Sequence, residues 1–188
     1  MSGTTFTIIP EQWECTPEEL SNVDPRRLLA NFRTDLYGKG TAKASGWLFA
    51  FIHGEFDPVA RVFRLHVHGF ATGGMLAVLD RLRKMDNYRS VRKLPDGEWN
   101  PVYRRVWIRR KPLINLPSPL TYLVQAFWPS RPIYISKEGK RRRVRDKQRM
   151  PEPYHSQVLL WLDRWRLADL TLMVGLRVTK SGLIRTKR

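Results

Sequence analysis

Two stretches of alternating apolar and polar residues on either side of a short turn form the strongest pattern in the chain. They run from Leu48 to Asp57 and from Val62 to His68, and Asp57-Pro58-Val59-Ala60 is typical of a turn between strands. A period of two sends every second side chain to the same face of a strand. The pattern therefore predicts a β-hairpin with one apolar face, formed by Leu48, Ala50, Ile52, Phe56, Phe63, Leu65 and Val67.

Helical patterns flank this hairpin. A short helix is predicted after Thr16, and longer helices are predicted at residues 25–38, 75–85, 119–128 and 156–175. Further strands are predicted on both sides of Pro95-Asp96-Gly97, and a short hairpin through Ser181-Gly182. These elements predict an α+β fold, with a small antiparallel sheet and flanking helices.

Composition divides this single predicted domain into four segments. Residues 1–24 carry acidic side chains and no Lys or Arg, which indicates an N-terminal acidic extension before a core at residues 25–128. Residues 129–153 contain four prolines and a basic run, which indicates a basic linker or mobile loop. Residues 154–188 are expected to form a C-terminal helix and a basic tail that pack on the core.

The charge of the chain favours a polyanionic partner. The 188 residues include 34 Lys and Arg against 17 Asp and Glu, a formal net charge of +17. Nucleic acid is the first expectation and a membrane surface the second. Cys15 is the only cysteine, and no run reaches the roughly 18 apolar residues of a membrane span, so we expect a cytoplasmic protein that does not enter a membrane.

Three of the four histidines lie in the predicted hairpin. If Asp57 pairs with Val62, His53 lies opposite His66 and Glu55 opposite Arg64, all on the polar face with His68. Neutral imidazoles on one strand face converge on a common point and are frequent metal ligands. The pattern indicates a metal site at His66 and His68 with a third ligand from His53 or Glu55, although strand histidines also commonly bind only to backbone.

Two basic segments are candidates for nucleic-acid binding. The first interleaves an aromatic residue with cations, a combination suited to base stacking and phosphate contacts: Arg104, Arg105, Trp107, Arg109, Arg110 and Lys111. The second is the run Lys140, Arg141, Arg142 and Arg143. The alternatives are an edge strand kept soluble by charge and a solvated loop.

Tyr122 is the candidate nucleophile. At about 100° per residue, it lies about 160° from Leu120 on the predicted helix, so its phenol is not needed for the apolar stripe. An amphipathic tyrosine on a helix surface is the ordinary alternative. Tyr134 and Tyr154 are the next candidates.

This order of parts resembles the HUH endonuclease superfamily, in particular the rolling-circle replication initiators of plasmids and phages. The resemblance spans roughly Leu28 to Trp128, and LHVHGF is its most specific part. It implies a small antiparallel sheet flanked by helices, with His66, His68 and either His53 or Glu55 holding Mg²⁺ or Mn²⁺. It also implies that Tyr122 is the nucleophile.

The resemblance implies a sequence- or structure-specific single-strand DNA endonuclease and strand transferase. Such an enzyme forms a 5′-phosphotyrosine intermediate and initiates rolling-circle replication, or mobilises a plasmid, phage or other mobile element. Its substrate would be single-stranded DNA at an origin or hairpin. The family helix commonly reads Tyr-x-x-Lys, whereas Gln125 stands at the lysine position here, and no helicase segment follows, so a separate helicase is an expected partner. The alternatives are a non-catalytic basic module that binds single-stranded nucleic acid and a metal-dependent hydrolase with no covalent step.

Overall fold

The computed structural model describes residues 3–109, 127–144, 146 and 148–186. The strands within these ranges are β1 (Gly3–Ile8), β2 (Glu14–Cys15), β3 (Leu48–Asp57), β4 (Val62–Thr72), β5 (Val106–Ile108), β6 (Ile133–Ile135), β7 (Arg141–Arg143), β8 (Thr171–Val174), β9 (Leu176–Thr179) and β10 (Gly182–Arg185). The helices are α1 (Pro25–Gly38), α2 (Met75–Arg81) and α3 (Tyr154–Asp163), joined by short 3₁₀ segments.

The main sheet confirms the α+β class with an antiparallel sheet. Its order is β5-β1-β4-β3-β8, with β2 also paired to β4, and every pairing is antiparallel. Strand β1 lies between β5 and β4, so the acidic N-terminal segment supplies an inner strand of the sheet rather than an extension outside it. The two strands that carry the histidines, β3 and β4, are neighbours within the sheet.

The predicted hairpin register is confirmed. Asp57 pairs with Val62, His53 with His66 and Glu55 with Arg64. At the turn, the Asp57 carboxylate accepts hydrogen bonds from the backbone N–H groups of Val59 (3.0 Å) and Ala60 (3.2 Å). Since a register is fixed by its turn, this bonding helps to hold His53 opposite His66.

The apolar face of the hairpin is the centre of the core, as predicted. All seven residues of that face are buried, and they form one cluster with residues of α1, α2 and α3. Helix α1 begins as expected, because the Asp24 side chain accepts a hydrogen bond from the Arg26 N–H and Pro25 takes the first helical position. The opposite face of the sheet keeps the polar side chains.

The predicted helix at residues 156–175 is wrong beyond Asp163. Helix α3 ends there, a 3₁₀ turn covers Leu167–Leu170, and Thr171–Val174 forms β8. Strand β8 pairs with Leu48–Phe51 of β3. An edge of β3 that would otherwise expose unpaired backbone groups gains a partner in this way, and this tertiary pairing overrides the helical pattern.

Two other segments also differ from the predictions. The region around Pro95-Asp96-Gly97 forms one isolated bridge, Lys93 to Trp99, and the only regular strand described there is β5. Residues 129–153 are not only a linker, because β6 and β7 pair within them and Ser130 bridges both Phe56 and Gln148. The short C-terminal hairpin is confirmed as β9–β10.

The predicted helix at residues 119–128 falls largely outside the described ranges, and Tyr122 with it. Just after that gap, Trp128 is buried against Phe63 and Trp161. None of the helices in the described ranges has both the length and the apolar character needed to cross a bilayer.

Candidate functional site

Three histidines meet on the polar face of the central hairpin. His53 comes from β3, and His66 and His68 come from β4. One ring nitrogen from each side chain lies within 4.8 Å of the other two, and the Nε2 atoms of His66 and His68 are 3.2 Å apart. His53 and His66 are buried, whereas His68 is partly exposed. The trio therefore forms a compact donor set with access from one side.

The outer nitrogens of two of these rings have their own partners. His66 Nδ1 lies 3.0 Å from the Arg64 carbonyl oxygen, and His68 Nδ1 lies 2.8 Å from Thr7 Oγ1. A carbonyl only accepts, so His66 Nδ1 is the donor, and the lone pair of the neutral ring then lies on Nε2. Metal-ligating histidines are oriented by the same kind of outer hydrogen bond.

The close Nε2 pair fits a neutral hydrogen bond from His68 to His66 or, when both lone pairs are directed inward, a shared positive charge. Two lone pairs at 3.2 Å repel each other, whereas a cation between them is attracted to both. A proton or a metal ion satisfies this condition. The position of His53 beside the pair favours the metal, because a third imidazole adds a ligand that a shared proton does not need.

The structure brings His53 together with His66 and His68, whereas Glu55 is not part of this cluster. The described cluster of potential ligands consists of His53, His66 and His68. The Glu55 carboxylate lies beside the cluster, and its Oε2 atom is 3.6 Å from Arg131 Nε. The alternation of β3 places Glu55 on the same face as His53 but two residues farther along the strand.

The donor set fits a divalent transition metal. Imidazole nitrogen suits such ions, whereas Mg²⁺ prefers oxygen ligands in octahedral geometry. Of the two ions that the resemblance implies, Mn²⁺ therefore fits the trio better than Mg²⁺. Three protein ligands also leave coordination positions for a substrate.

An open cleft of about 280 Å³ lies over the trio. Besides the three histidines, it is lined by Thr7, Ile9, Gly54, Glu55, Arg104, Trp107, Pro129 and Arg131. Two arginines and an exposed indole thus surround the imidazoles. This combination suits a ligand that carries both negative charge and an aromatic ring, as a nucleotide does.

An ion-pair network between residues of β2, β3 and β4 lies beside the trio. Arg64 is buried, and its guanidinium lies 2.8 Å from Asp57 Oδ2 and 3.2 Å from Glu14 Oε1. Its carbonyl is the acceptor for His66. One network therefore contains Asp57, which closes the hairpin turn, and Arg64, whose carbonyl orients His66.

The first basic segment forms part of the cleft wall. Trp107 is 53% exposed, and the Arg104 guanidinium lies 4.9 Å from the centre of its ring. Arg104, Trp107 and Arg109 also line a neighbouring groove of about 780 Å³ together with Arg83. Arg110 and Lys111 lie outside the described residues.

Arg105 does not belong to this surface, which corrects the prediction. It is 2% exposed, and its guanidinium pairs with Glu11 at 2.9 Å. Neighbouring residues of an extended chain point in opposite directions. Arg104 therefore faces the cleft while Arg105 fastens the acidic N-terminal segment to the sheet.

The second basic segment lies on the β6–β7 hairpin. The Lys140 and Arg142 side chains are exposed, and Arg142 is 3.5 Å from Glu138. The backbones of Arg141 and Arg143 belong to β7, but their side chains lie outside the description. Part of this basic run therefore lies on strand β7 and not in a loop, as the linker prediction had implied.

The other candidate nucleophiles are poorly placed. Tyr154 stacks on Phe56 at 4.2 Å, and Phe56 is on the apolar face, opposite to the histidines. Tyr134 is exposed on β6 and is not among the residues that line the cleft.

Burial raises the pKa of the Cys15 thiol to about 12, so this group stays protonated at neutral pH. Burial and a hydrogen bond to Asp35 also raise the pKa of Tyr88.

Sequence patterns missed two cleft residues, Thr7 and Arg131. For Thr7 a signal was present, because Thr5 and Thr7 alternate with Phe6 and Ile8 and so define a polar strand face. For Arg131 no local signal exists, because its position depends on backbone pairing with Phe56, 75 positions earlier in the chain.

Comparison of the chain with protein-family models, with curated proteins and with solved structures found no match.

Proposed function

We propose that this chain is a metal-dependent enzyme that nicks and rejoins single-stranded DNA through a tyrosine. The metal would be Mn²⁺ or Mg²⁺, held by His53, His66 and His68, and the nucleophile would be Tyr122. In the cell, this activity would initiate rolling-circle replication or the mobilisation of a plasmid, phage or other mobile element. The proposal includes an HUH-type arrangement of the antiparallel sheet, and this is the function that the site supports best.

The histidine trio is the observation that carries the proposal. Ligand atoms within 4.8 Å of one another on two adjacent central strands, two of them with their outer nitrogens already bonded, are what a metal site requires. The surrounding residues suit a polyanion, since Arg104 and Arg131 line the cleft. The net charge of +17 extends this preference to the whole chain.

The proposed reaction is a transesterification. The Tyr122 phenol, whose ordinary pKa is about 10, loses its proton to solvent, and its oxygen bonds to phosphorus. The bond from phosphorus to the 3′ oxygen breaks, and that oxygen takes up a proton to become a 3′ hydroxyl. The 5′-phosphotyrosine keeps the energy of the broken ester, so attack by a 3′ hydroxyl rejoins a strand.

The chain's residues would share the binding of the reacting strand. Arg104 and Arg131 attract its phosphates, and the exposed Trp107 ring offers a surface for a base. The bound metal would polarise the scissile phosphate and offset the charge that develops on its oxygens. The partly buried position of the trio reduces the screening of that charge by water.

A second candidate function is a binding module without catalysis. The observation that favours it is the groove beside the cleft, where Arg83, Arg104, Trp107 and Arg109 form a cationic and aromatic surface that needs no metal. Under this alternative, the histidines are structural. The chain would hold single-stranded nucleic acid through phosphates and stacking alone.

A denaturing gel separates these candidates. The protein is incubated with a labelled pool of random-sequence single-stranded DNA and DNA hairpins in Mn²⁺, with and without EDTA. We expect a metal-dependent protein–DNA adduct that His66→Asn and Tyr122→Phe abolish. Tyr134→Phe, which removes the hydroxyl of an exposed tyrosine outside the cleft, is the matched control and should leave the adduct unchanged.

Each other outcome contradicts part of the proposal. An adduct that survives Tyr122→Phe moves the nucleophile to another residue. Cleavage without an adduct favours hydrolysis with no covalent step. DNA that stays intact on the denaturing gel but is retained by the protein on a native gel favours the binding module.

A further inference from the structure

The cleft contains an ion pair between Glu55 and Arg131, and the proposed function assigns no role to its carboxylate. Glu55 is buried and its carboxylate lies 3.6 Å from Arg131 Nε. The Arg131 side chain is 30% exposed and lines the cleft with the histidines. Glu55, whose carboxylate could bind a metal, and Arg131, whose guanidinium could bind a phosphate, are thus in contact beside the histidines.

The backbone around Arg131 is hydrogen-bonded to β3. The Phe56 N–H donates to the Pro129 carbonyl (3.0 Å), and the Arg131 N–H donates to the Phe56 carbonyl (2.8 Å). On its other side, Ser130 bridges Gln148. Residues 129–131 therefore extend the sheet along β3, and because Ser130 is level with Phe56 in this parallel bridge, Arg131 lies two residues beyond the level of Glu55.

The geometry points to Arg131 as the residue that binds a backbone phosphate of single-stranded DNA beside the histidine trio, with Glu55 as its ion-pair partner and not as a metal ligand. This inference rests on the proposed function for the identity of the ligand. Arginine carries five N–H donors in a planar fork that matches the oxygens of a phosphate. The contact with Glu55 involves Nε, and no second carboxylate among the described residues pairs with the fork, so its terminal N–H groups can bind an anion in the cleft.

The distinction between a ligand and an ion-pair partner has a direct consequence for metal binding. If Glu55 only holds Arg131, its conversion to an uncharged amide leaves the three imidazoles in place. If Glu55 binds the metal, the same change removes a charged ligand and weakens the site as strongly as loss of a histidine. His53→Gln is the matched comparison, because His53 lies on the same face of the same strand.

The first experiment measures Mn²⁺ affinity by electron paramagnetic resonance of the free ion, with no DNA present. We expect His53→Gln to weaken Mn²⁺ binding about tenfold or more, and Glu55→Gln to change it by less than about twofold. Equal losses in the two variants would overturn the assignment of Glu55. Failure of the unaltered protein to bind Mn²⁺ would contradict the proposed function itself.

The second experiment measures binding of a fluorescent oligothymidine in EDTA, so it does not depend on the metal. We expect Arg131→Gln to weaken binding about fivefold to tenfold and to lower the slope of log affinity against log salt by about 0.7, the value for one phosphate contact on a single strand. Arg131→Lys keeps the charge but loses the fork, so it should retain the slope and recover part of the affinity.

The control for the second experiment is Arg89→Gln. Arg89 also pairs with a carboxylate, Asp86 at 2.8 Å, but it does not line the cleft. Loss of its charge should change DNA affinity by less than about twofold, since an exposed charge away from the bound strand is screened by salt. Equal effects of Arg131→Gln and Arg89→Gln would overturn the phosphate subsite, and so would an Arg131→Lys variant that folds normally but binds no better than Arg131→Gln.

Discussion

The hydroxyl of Thr7 holds His68 in the orientation that the candidate metal site needs. Thr7 Oγ1 is 2.8 Å from His68 Nδ1, and the two residues are direct partners in the pairing of β1 with β4. A ring whose Nδ1 is fixed in this way presents Nε2 toward His66. The N-terminal strand thus contributes to the site although it supplies no ligand.

Replacement of Thr7 by valine should therefore weaken metal binding with little effect on folding. Valine keeps the β-branched shape and removes only the hydroxyl, and loss of such an outer hydrogen bond typically costs about 10–100-fold in metal affinity. Titration with Mn²⁺ measures the loss, and Thr7→Ser should restore most of the affinity.

Thr5→Val is the matched control for this prediction. Thr5 lies on the same face of β1, but its partner across the pair of strands is Phe70 and not a histidine. It should change Mn²⁺ affinity by less than about twofold, because it removes no bond to a candidate ligand. If Thr5→Val and Thr7→Val weakened binding equally, the effect would come from the strand and not from the bond to His68.

For individual residues, the sequence was sufficient to predict positions that follow from the register of a single hairpin. His53 and His66 are separated by a short turn, so the turn and a period of two were sufficient to pair them. Which of His53 and Glu55 lies within reach of the other two histidines depends on side-chain positions, and the contact of Glu55 with Arg131 involves a segment distant in sequence. Arg105 was misassigned because composition does not reveal which side of an extended chain is buried.

The hairpin of β3 and β4 is held in register by a buried ion pair. Asp57 is fully buried, accepts two backbone bonds at the turn, and lies 2.8 Å from the Arg64 guanidinium. Removal of one partner of such a pair leaves an uncompensated buried charge. The hairpin and the histidines that it carries should therefore depend on Arg64.

Arg64→Ala is expected to lower the free energy of unfolding by about 3–5 kcal/mol, the usual loss when one member of a buried pair is removed. Denaturation with urea, monitored by tryptophan fluorescence, measures the change. The exposed pair of Arg89 and Asp86 provides the comparison, and Arg89→Ala should alter stability by about 0.5 kcal/mol or less. A similar small loss for Arg64→Ala would show that the turn does not need the pair.

Close packing of strands at Gly69 gives a second prediction for the sheet. A Cβ atom at Gly69 would lie 2.2 Å from the Phe6 ring and 2.5 Å from the Phe49 carbonyl oxygen, which belongs to the backbone of β3. Because a backbone atom of a paired strand cannot rotate away, the strands must move apart. Gly69→Ala should lower the thermal midpoint by several degrees, which corresponds to a loss of about 1–3 kcal/mol.

Gly38→Ala is the control for the same chemical change. A Cβ atom there would meet nothing within 4 Å, and Gly38 is the last residue of α1. Alanine favours helix over glycine by up to about 1 kcal/mol, so this variant should melt at the same temperature or slightly higher. A lower midpoint for Gly38→Ala than for Gly69→Ala would contradict the steric explanation.

Elements were predictable where local signals agreed with the tertiary fold. The cap at Asp24 and the proline after it placed the start of α1, and alternation placed β3 and β4. The failure at β8 has a physical cause, since Thr171–Val174 follows an apolar helical pattern but pairs with β3. Partners of this kind are separated by more than a hundred residues, and no local pattern records them.

At the scale of the whole molecule, positive charge is concentrated outside the N-terminal segment. No Lys or Arg precedes Arg26, and Glu11 and Glu14 pair internally with Arg105 and Arg64. The acidic residues closest to the sheet are thus used to neutralise buried arginines. Cationic side chains such as Arg104, Arg109, Lys140 and Arg142 remain exposed.

This distribution makes the salt dependence of DNA binding a test of where the strand runs. Each phosphate contact on a single strand contributes about 0.7 to the slope of log affinity against log salt. If the bound strand reaches the β6–β7 hairpin, the double variant Lys140→Gln and Arg142→Gln removes two contacts and lowers the slope by about 1.4. Binding of oligothymidines at several salt concentrations measures this slope.

A comparison of short and long oligonucleotides tests whether the β6–β7 hairpin is part of the binding surface. For an oligonucleotide long enough to contact both the cleft and the β6–β7 hairpin, the double variant should lower the slope of log affinity against log salt. For a short oligonucleotide bound by the cleft alone, the slope should not change. Arg26→Gln with Arg89→Gln removes the same charge from two exposed ion pairs outside the cleft, so it should leave both slopes unchanged. If the two double variants lowered the slope equally, the net charge of +17 would act as a diffuse attraction, and the strand would have no defined path over the hairpin.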